Sequence, residues 1–388
     1  MSATVTSSSA STATQATQST QTTQSICEFN VLLPQEQAAL TALKKNVSHA
    51  FVTGAGGFLG EAICKRLVAA GIKVTGFARG DYPELSAIGV NMIKGDIADE
   101  QALLRAMQGC DLVFHVASKA GVWGSKQSYY SPNVDGARFI ISACKQANIA
   151  HLVYTSTPSV TFAGNDEDGN NESAPYAAKF LNFYGESKAI AEQMMLAANG
   201  DLLSNGKQLG TTALRPHLIW GPNDPHLVPR VLERAAKGRL KLVGKQDKLV
   251  DTIYVGNAAY AHILAALRLS ESDKAAQTVC AGKAYYLSND EPITMAAMLN
   301  KILACKNLPP VTKRVPSKLA YAAGCLLESV YGLLGKQDEP IMTRFVARQL
   351  STSHYFDISA AKQDLGYSAL VSIDDGMQYL KASLNKPD

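Results

Sequence analysis

The stretch VTGAGGFLGEAI, residues 52–63, places a glycine at every third position: Gly54, Gly57 and Gly60. It follows the short apolar run SHAFVT. It leads into EAICKRLVAAG, where Ala62, Ile63, Leu67 and Val68 recur at helical spacing before a stop at Gly71. A strand that turns this tightly into a helix needs each glycine for a different reason. The first permits the turn, the second lets a pyrophosphate approach the backbone, and the third lets helix and strand pack closely. Amides at the helix start, from Phe58 and Leu59 onward, then point at phosphate with the favourable end of the helix dipole. A glycine-rich turn without a ligand is the plain alternative, but it would not require these flanks.

The alternation continues downstream. KVTGFAR and VNMIKGD read as strands, and DEQALLRAMQGC as a helix. DLVFHVAS and HLVYTST are nearly unbroken apolar runs of strand length, and TTALRPHLIWG follows a further helix. Strands apolar on both faces and separated by helices indicate a parallel, doubly wound α/β sheet covered on both sides. After Trp220 the pattern changes to GPNDP and then to mostly helical segments. The expected organisation is a disordered Ser/Thr/Gln-rich tail over 1–46, a dinucleotide-binding unit over 47–220, and a smaller, mostly helical substrate lobe over 221–388. Some segments of that lobe should return to the sheet.

The end of the second strand indicates which dinucleotide is held. An acid there would hold the adenosine ribose and repel a 2′-phosphate. This chain has Ala78 and Arg79 instead, with Asp81 two residues on. Arg79 can grip a phosphate in a bidentate fork, so NADP(H) is favoured over NAD(H). Asp96 and Ile97 are expected at the adenine edge, and Ala117 and Ser118 near the ribose and nicotinamide.

Tyr184 and Lys188 stand four apart in NFYGESKAIAE, so a helix puts them on one face. Hydride transfer to a carbonyl leaves an alkoxide that needs a proton. A free tyrosine holds its proton firmly at neutral pH, and a nearby ammonium is expected to lower its pKa toward the working range. The YTST cluster offers Thr155, Ser156 and Thr157 to polarise the carbonyl, although side chains alternate faces in a strand and not all three can share one cleft. Taken alone, the Tyr–Lys pair would be an ordinary solvated helix face. Its weight comes from the order of glycine loop, hydroxyl cluster and Tyr-x-x-x-Lys.

Composition excludes several classes. Apolar residues make up 46% and charged residues 18%, enough to build a large core. The net charge is only +4 and no long Lys/Arg run occurs, so a nucleic-acid partner is not expected. Seven cysteines are scattered singly, none at zinc spacing, so no metal site is expected and free thiols in a reducing cytoplasm are. The first residues lack the basic start and apolar core of a secretory signal. LAYAAGCLLESVYGLLG, residues 319–335, is too short and too interrupted by Glu328 to span a bilayer. A buried helix is the expectation there; lining a pocket, packing on a partner and dipping into a membrane surface are the alternatives.

Together these motifs resemble the extended short-chain dehydrogenase/reductase superfamily from about residue 48 to 383. VTGAGGFLG is similar to its TGxxGxxG loop, and YGESK to its YxxxK. STPSV resembles an S-x-x-V element whose first residue carries the hydroxyl, which here falls on Thr157, with Ser156 as the alternative. LRPHLIWGP resembles the segment that runs past the nicotinamide, around Pro216, Leu218 and Ile219. YVGNAAYAHILAA and GKAYYLSNDEPIT are similar to the 3β-hydroxysteroid dehydrogenase branch. SKAGVWGS and SKAIAEQMMLAANG are similar to its bacterial 2-alkyl-3-oxoalkanoate reductases of long-chain olefin biosynthesis. The resemblance implies a Rossmann-type fold and an NADPH-dependent ketoreductase acting on an apolar long-chain substrate. Tyr184 would be acid, Lys188 its partner and Thr157 the polarising hydroxyl, with Trp123 and Tyr129 lining the substrate pocket. It also implies a homodimer and a possible complex with neighbouring pathway enzymes. A sterol or hydroxysteroid dehydrogenase is one rival, and a non-catalytic NADP sensor another.

Overall fold

The computed structural model describes residues 32–272 and 274–386. Seven parallel strands form the central sheet: β1 (His49–Thr53), β2 (Lys73–Ala78), β3 (Asn91–Lys94), β4 (Leu112–His115), β5 (His151–Thr155), β6 (Gly210–Pro216) and β7 (Lys283–Leu287). Their order is β7-β6-β5-β4-β1-β2-β3, all in parallel register. The order reverses between β1 and β4, which opens a crevice at the carboxyl ends of the strands.

Period-two alternation sorts the strand side chains onto two buried faces. Ala50, Val52, Val74 and Phe114 pack on one side with helix α2 (Phe58–Ala69). Phe51, Phe77, Val113 and Leu152 pack on the other with α3 (Gly136–Ala147) and α4 (Phe183–Ala197). The first face is completed by α5 (Val255–Ser270), which is buried almost all round. Both α5 and β7 come from beyond residue 220, so the C-terminal half supplies an edge strand and a covering helix to the nucleotide-binding sheet.

Two expectations need correction. Residues 34–43, placed in the disordered 1–46 tail, form helix α1 (Pro34–Leu43). Proline opens it, and Glu36 reaches back to the Leu33 amide at 3.0 Å. Ala39, Leu40 and Leu43 recur at helical spacing and are buried in the core. Glu36 also bonds Arg66 of α2 at 2.7 Å. The rest of that tail, residues 1–31, lies outside the described residues.

The second correction concerns 319–335. These residues form most of α6 (Ser317–Leu333), which is not a buried helix: only Ala320 and Gly324 are buried. The small residues make the contact because the backbone of Thr343 and Arg344 lies against Gly324, where a Cβ would come within 2.7 Å. Among the described residues, no helix is long and apolar enough to cross a membrane.

Candidate active site

The glycine loop sits at the strand-order reversal. Gly54 takes φ +66°, and a Cβ there would meet the Ala117 backbone at 2.9 Å. A Cβ on Gly60 would lie 2.1 Å from the Gly54 carbonyl oxygen, so α2 can start here only with glycine. Gly57 caps α2 and has only one neighbour near its missing Cβ, so its outer side is open. The first amides of α2, at Phe58 to Gly60, have no acceptor within the helix. Leu59 is buried in the core and Phe58 packs toward the C-terminal lobe, so these two can serve a phosphate only through their backbone.

A cleft of ≈ 720 Å³ opens in front of this loop. Of the residues singled out in the sequence, Gly54, Gly57, Arg79, Asp96, Ile97, Ala117 and Ser118 all line it. Arg79 is exposed there, and Asp81 is engaged elsewhere, by Lys94 at 2.7 Å. Tyr82, which the sequence reading passed over, lines the same cleft and lies on Gly56, where a Cβ would be 2.1 Å from its ring. The β4 end is fixed by Thr53, whose hydroxyl accepts from the Val116 and Ala117 amides at 3.1 Å. The open loop, the free first-turn amides and Arg79 fit a dinucleotide pyrophosphate and its adenosine.

Farther along the strand ends, α4 presents the Tyr–Lys pair. Asn182 caps the helix by accepting from the Gly185 amide at 2.9 Å. Tyr184 is partly exposed, whereas Lys188 is 1% exposed. Burial holds the Tyr184 phenol above its usual range, and the neighbouring Thr157 hydroxyl draws it back down. The expected lowering by Lys188 is therefore not seen in this structure. The Lys188 ammonium instead donates to the Thr155 carbonyl at 2.6 Å and sits 4.1 Å above the Tyr154 ring. Burial pulls Lys188 down to about 7, and the charge of Glu192 opposes the fall.

Thr157 and Ser156 separate as strand alternation requires. Thr157 faces Tyr184 and caps the short turn Pro158–Val160. The Ser156 hydroxyl is buried without a hydrogen-bond partner. Leu218, just past β6, holds a left-handed backbone at φ +48°. For a branched residue that conformation is strained, and such strain concentrates at functional sites. It lies between Pro216 and Ile219, the segment expected beside the nicotinamide.

Trp123 and Tyr129 behave differently from each other. Tyr129 is buried and donates to the Trp123 carbonyl at 2.9 Å, so it packs the loop. Trp123 is partly exposed, meets Tyr331 of α6 edge-on at 6.2 Å and donates to the Lys336 carbonyl at 3.0 Å.

Two supports escaped the sequence reading. Asn133 accepts from the Lys119 amide at 2.7 Å and donates to Ser187 at 2.9 Å, which ties the β4 loop to α4. Glu192, one turn beyond Lys188, is fully buried and pairs with Arg215 of β6 at 2.5 Å. Tyr176 donates to the same carboxylate at 2.7 Å. The i+4 spacing of Lys188 and Glu192 was a visible signal for this support; the Arg215 partner, on another element, was not.

Comparison with known proteins places the chain in a family. The family model for the 3-beta hydroxysteroid dehydrogenase/isomerase family matches residues 51–311. The chain is 69% identical over 351 residues to a 2-alkyl-3-oxoalkanoate reductase of Shewanella oneidensis, covering 90% of each protein. It is 34% identical over 351 residues to the decarboxylating sterol-4-alpha-carboxylate 3-dehydrogenase of Mus musculus, covering 88% of this chain and 93% of that one. An epimerase structure from Methanothermobacter thermautotrophicus shares the fold, with TM-score 0.70, 16% identity, and coverage of 90% and 95%. With the nucleotide loop, the Tyr–Lys helix and these matches together, the chain belongs to the 3-beta hydroxysteroid dehydrogenase/isomerase family.

Proposed function

We propose that this protein reduces a 2-alkyl-3-oxoalkanoate to the 2-alkyl-3-hydroxyalkanoate with NADPH. The observation that carries the reading is the pairing of Tyr184 with Thr157 beside buried Lys188, in a chain so similar to the Shewanella oneidensis reductase. The nicotinamide supplies hydride when bound. The first-turn amides of α2 hold the pyrophosphate, and Arg79 meets the 2′-phosphate while Asp81 is engaged by Lys94. Thr157 donates a hydrogen bond to the substrate carbonyl. Tyr184, kept protonated by its surroundings, gives its proton to the oxygen as charge develops there. Lys188 places a positive charge beneath this pair, and Glu192 helps keep it charged.

The unbridged thiols among the described residues support a reducing, cytoplasmic setting. A sterol dehydrogenase reading has the weaker support of the more distant mouse relative. The test is NADPH oxidation with a synthetic 2-alkyl-3-oxo acid, run beside a 3β-hydroxysterol with NAD. Turnover of the keto acid alone is expected; turnover of the sterol alone would replace this reading.

A further inference from the structure

Of the large apolar side chains left exposed in the described residues, six fall between 319 and 341: Leu319, Leu326, Val330, Leu333, Leu334 and Ile341. They are 38% to 88% exposed. Leu319, Leu326, Val330 and Leu333 are spaced by seven, four and three residues, so they form one stripe along α6. Ala320 and Gly324 mark the opposite, buried face. A contiguous exposed apolar stripe of this length is unusual on a protein that stays wholly in water.

The charge around the stripe is predominantly positive. Residues 225–248 and 311–350 carry 13 Lys and Arg against 5 Asp and Glu, a net +8 in a chain whose total is +4. The fold joins the two segments. The strand Arg314–Val315 pairs with Leu242–Val243, Arg230 bonds Glu339 at 3.0 Å, and Arg234 donates to the Ile341 carbonyl at 3.3 Å. Four of the five acids are each paired with one of these cations, Glu328 with Arg344, Glu339 with Arg230, Asp247 with Arg314 and Glu233 with Lys237, and Lys248 pairs with Asp166 outside the two segments. Asp338 stays exposed at the turn after α6. Lys318, also exposed, flanks the start of the stripe. Scattered lysines that name no partner in the sequence thus become a basic surface around an apolar helix.

We propose that α6 and the basic segments beside it dock this protein on an anionic lipid bilayer, with the helix lying in the interface plane. An amphipathic helix with leucines on one side and cations around it binds in this way, by apolar burial plus attraction to anionic headgroups. A two-fold pairing of this chain through the same face would set its cations against each other, so a second copy fits less well. The inner face of α6 and the turn after it reach the loop beside the cofactor cleft, because Tyr331 and the Lys336 carbonyl contact Trp123. If the substrate is the long-chain acid proposed above, its mouth therefore opens next to the bilayer; that link rests on the proposed function, whereas the docking surface does not.

The full chain should be sedimented, without substrate, with vesicles of phosphatidylcholine alone and of phosphatidylcholine mixed equally with phosphatidylglycerol. The expected result is binding at least about tenfold tighter to the anionic vesicles, weakened as salt shortens the Debye length. The L326S/L333S double variant should lose at least about tenfold in binding, because two leucines leave the interface. Its thermal midpoint and NADPH titration should match the parent, since both positions are exposed. Lys318→Glu with Lys241→Glu should remove the preference for anionic vesicles. No sedimentation with either vesicle, or equal sedimentation of L326S/L333S, would overturn the proposal. So would a shift from dimer to monomer in L326S/L333S by sedimentation velocity without vesicle binding, which would assign the stripe to a second copy.

Discussion

Replacing Arg79 tests how the cofactor is chosen. Arg79 stands at the end of β2, on the wall of the cleft, and the nearby carboxylate of Asp81 is held by Lys94. Its guanidinium is thus available for a phosphate at the adenosine ribose. A hydrogen bond to a charged group contributes about 1.5–3 kcal/mol. Arg79 is exposed, so solvent screens the interaction and the lower half of that range applies. Arg79→Ala should then lower kcat/KM for NADPH by about 10- to 40-fold, at 1.4 kcal/mol per tenfold. NADH has no 2′-phosphate and should change by less than about threefold. Arg79→Asp should invert the preference, because an acid there binds the ribose hydroxyl and repels the phosphate. Steady-state rates with both cofactors at several salt concentrations make the measurement. An NADPH rate unchanged in Arg79→Ala, or an equal loss with both cofactors, would show that Arg79 does not read the 2′-phosphate.

Other outcomes follow from the site. Thr157→Val should cost about 100- to 1,000-fold in kcat, the size of losing one oxyanion donor, while Ser156→Ala stays close to the parent. Glu192→Gln should destabilise the fold by about 3–5 kcal/mol in urea unfolding, because Arg215 is left as an uncompensated buried charge. Reduction rates should fall as pH rises through about 7, where Lys188 loses its proton, and the pH–rate profile of kcat reports this directly. Between that pH and 10.5 the unfolded chain holds a proton that folded Lys188 does not, so stability should rise with pH over this window. Lys188→Met should flatten that rise.

Much of the fold was legible because its signals are local. Apolar runs of strand length separated by helical spacing gave the parallel sheet, and the glycines of residues 54–60 marked the turn that needs them. Tyr184, Lys188 and Thr157 were readable as an ordered set of motifs; Thr157 lies beside Tyr184, whereas Lys188 bonds the Thr155 carbonyl. What was missed depends on distant parts of the chain. The apolar composition of α6 suggested burial, but nothing local tells that its leucine stripe is left exposed among the described residues. Helix α1 was hidden beside a low-complexity stretch, although Ala39, Leu40 and Leu43 already had helical spacing. The basic surface required the pairing of Arg314–Val315 with Leu242–Val243, which no run of sequence reveals. Lys188 was expected to serve the phenol directly, yet its burial and the Thr155 carbonyl hold it one step below.

In the proposed reaction, Tyr184 gives the proton that completes carbonyl reduction. Tyr184→Phe keeps the ring that packs at the start of α4 and removes only the hydroxyl. Its NADPH affinity should match the parent by fluorescence titration, while single-turnover reduction of a 2-alkyl-3-oxo acid should fall by about 100-fold or more. Turnover within a few-fold of the parent, with NADPH still bound, would contradict the account.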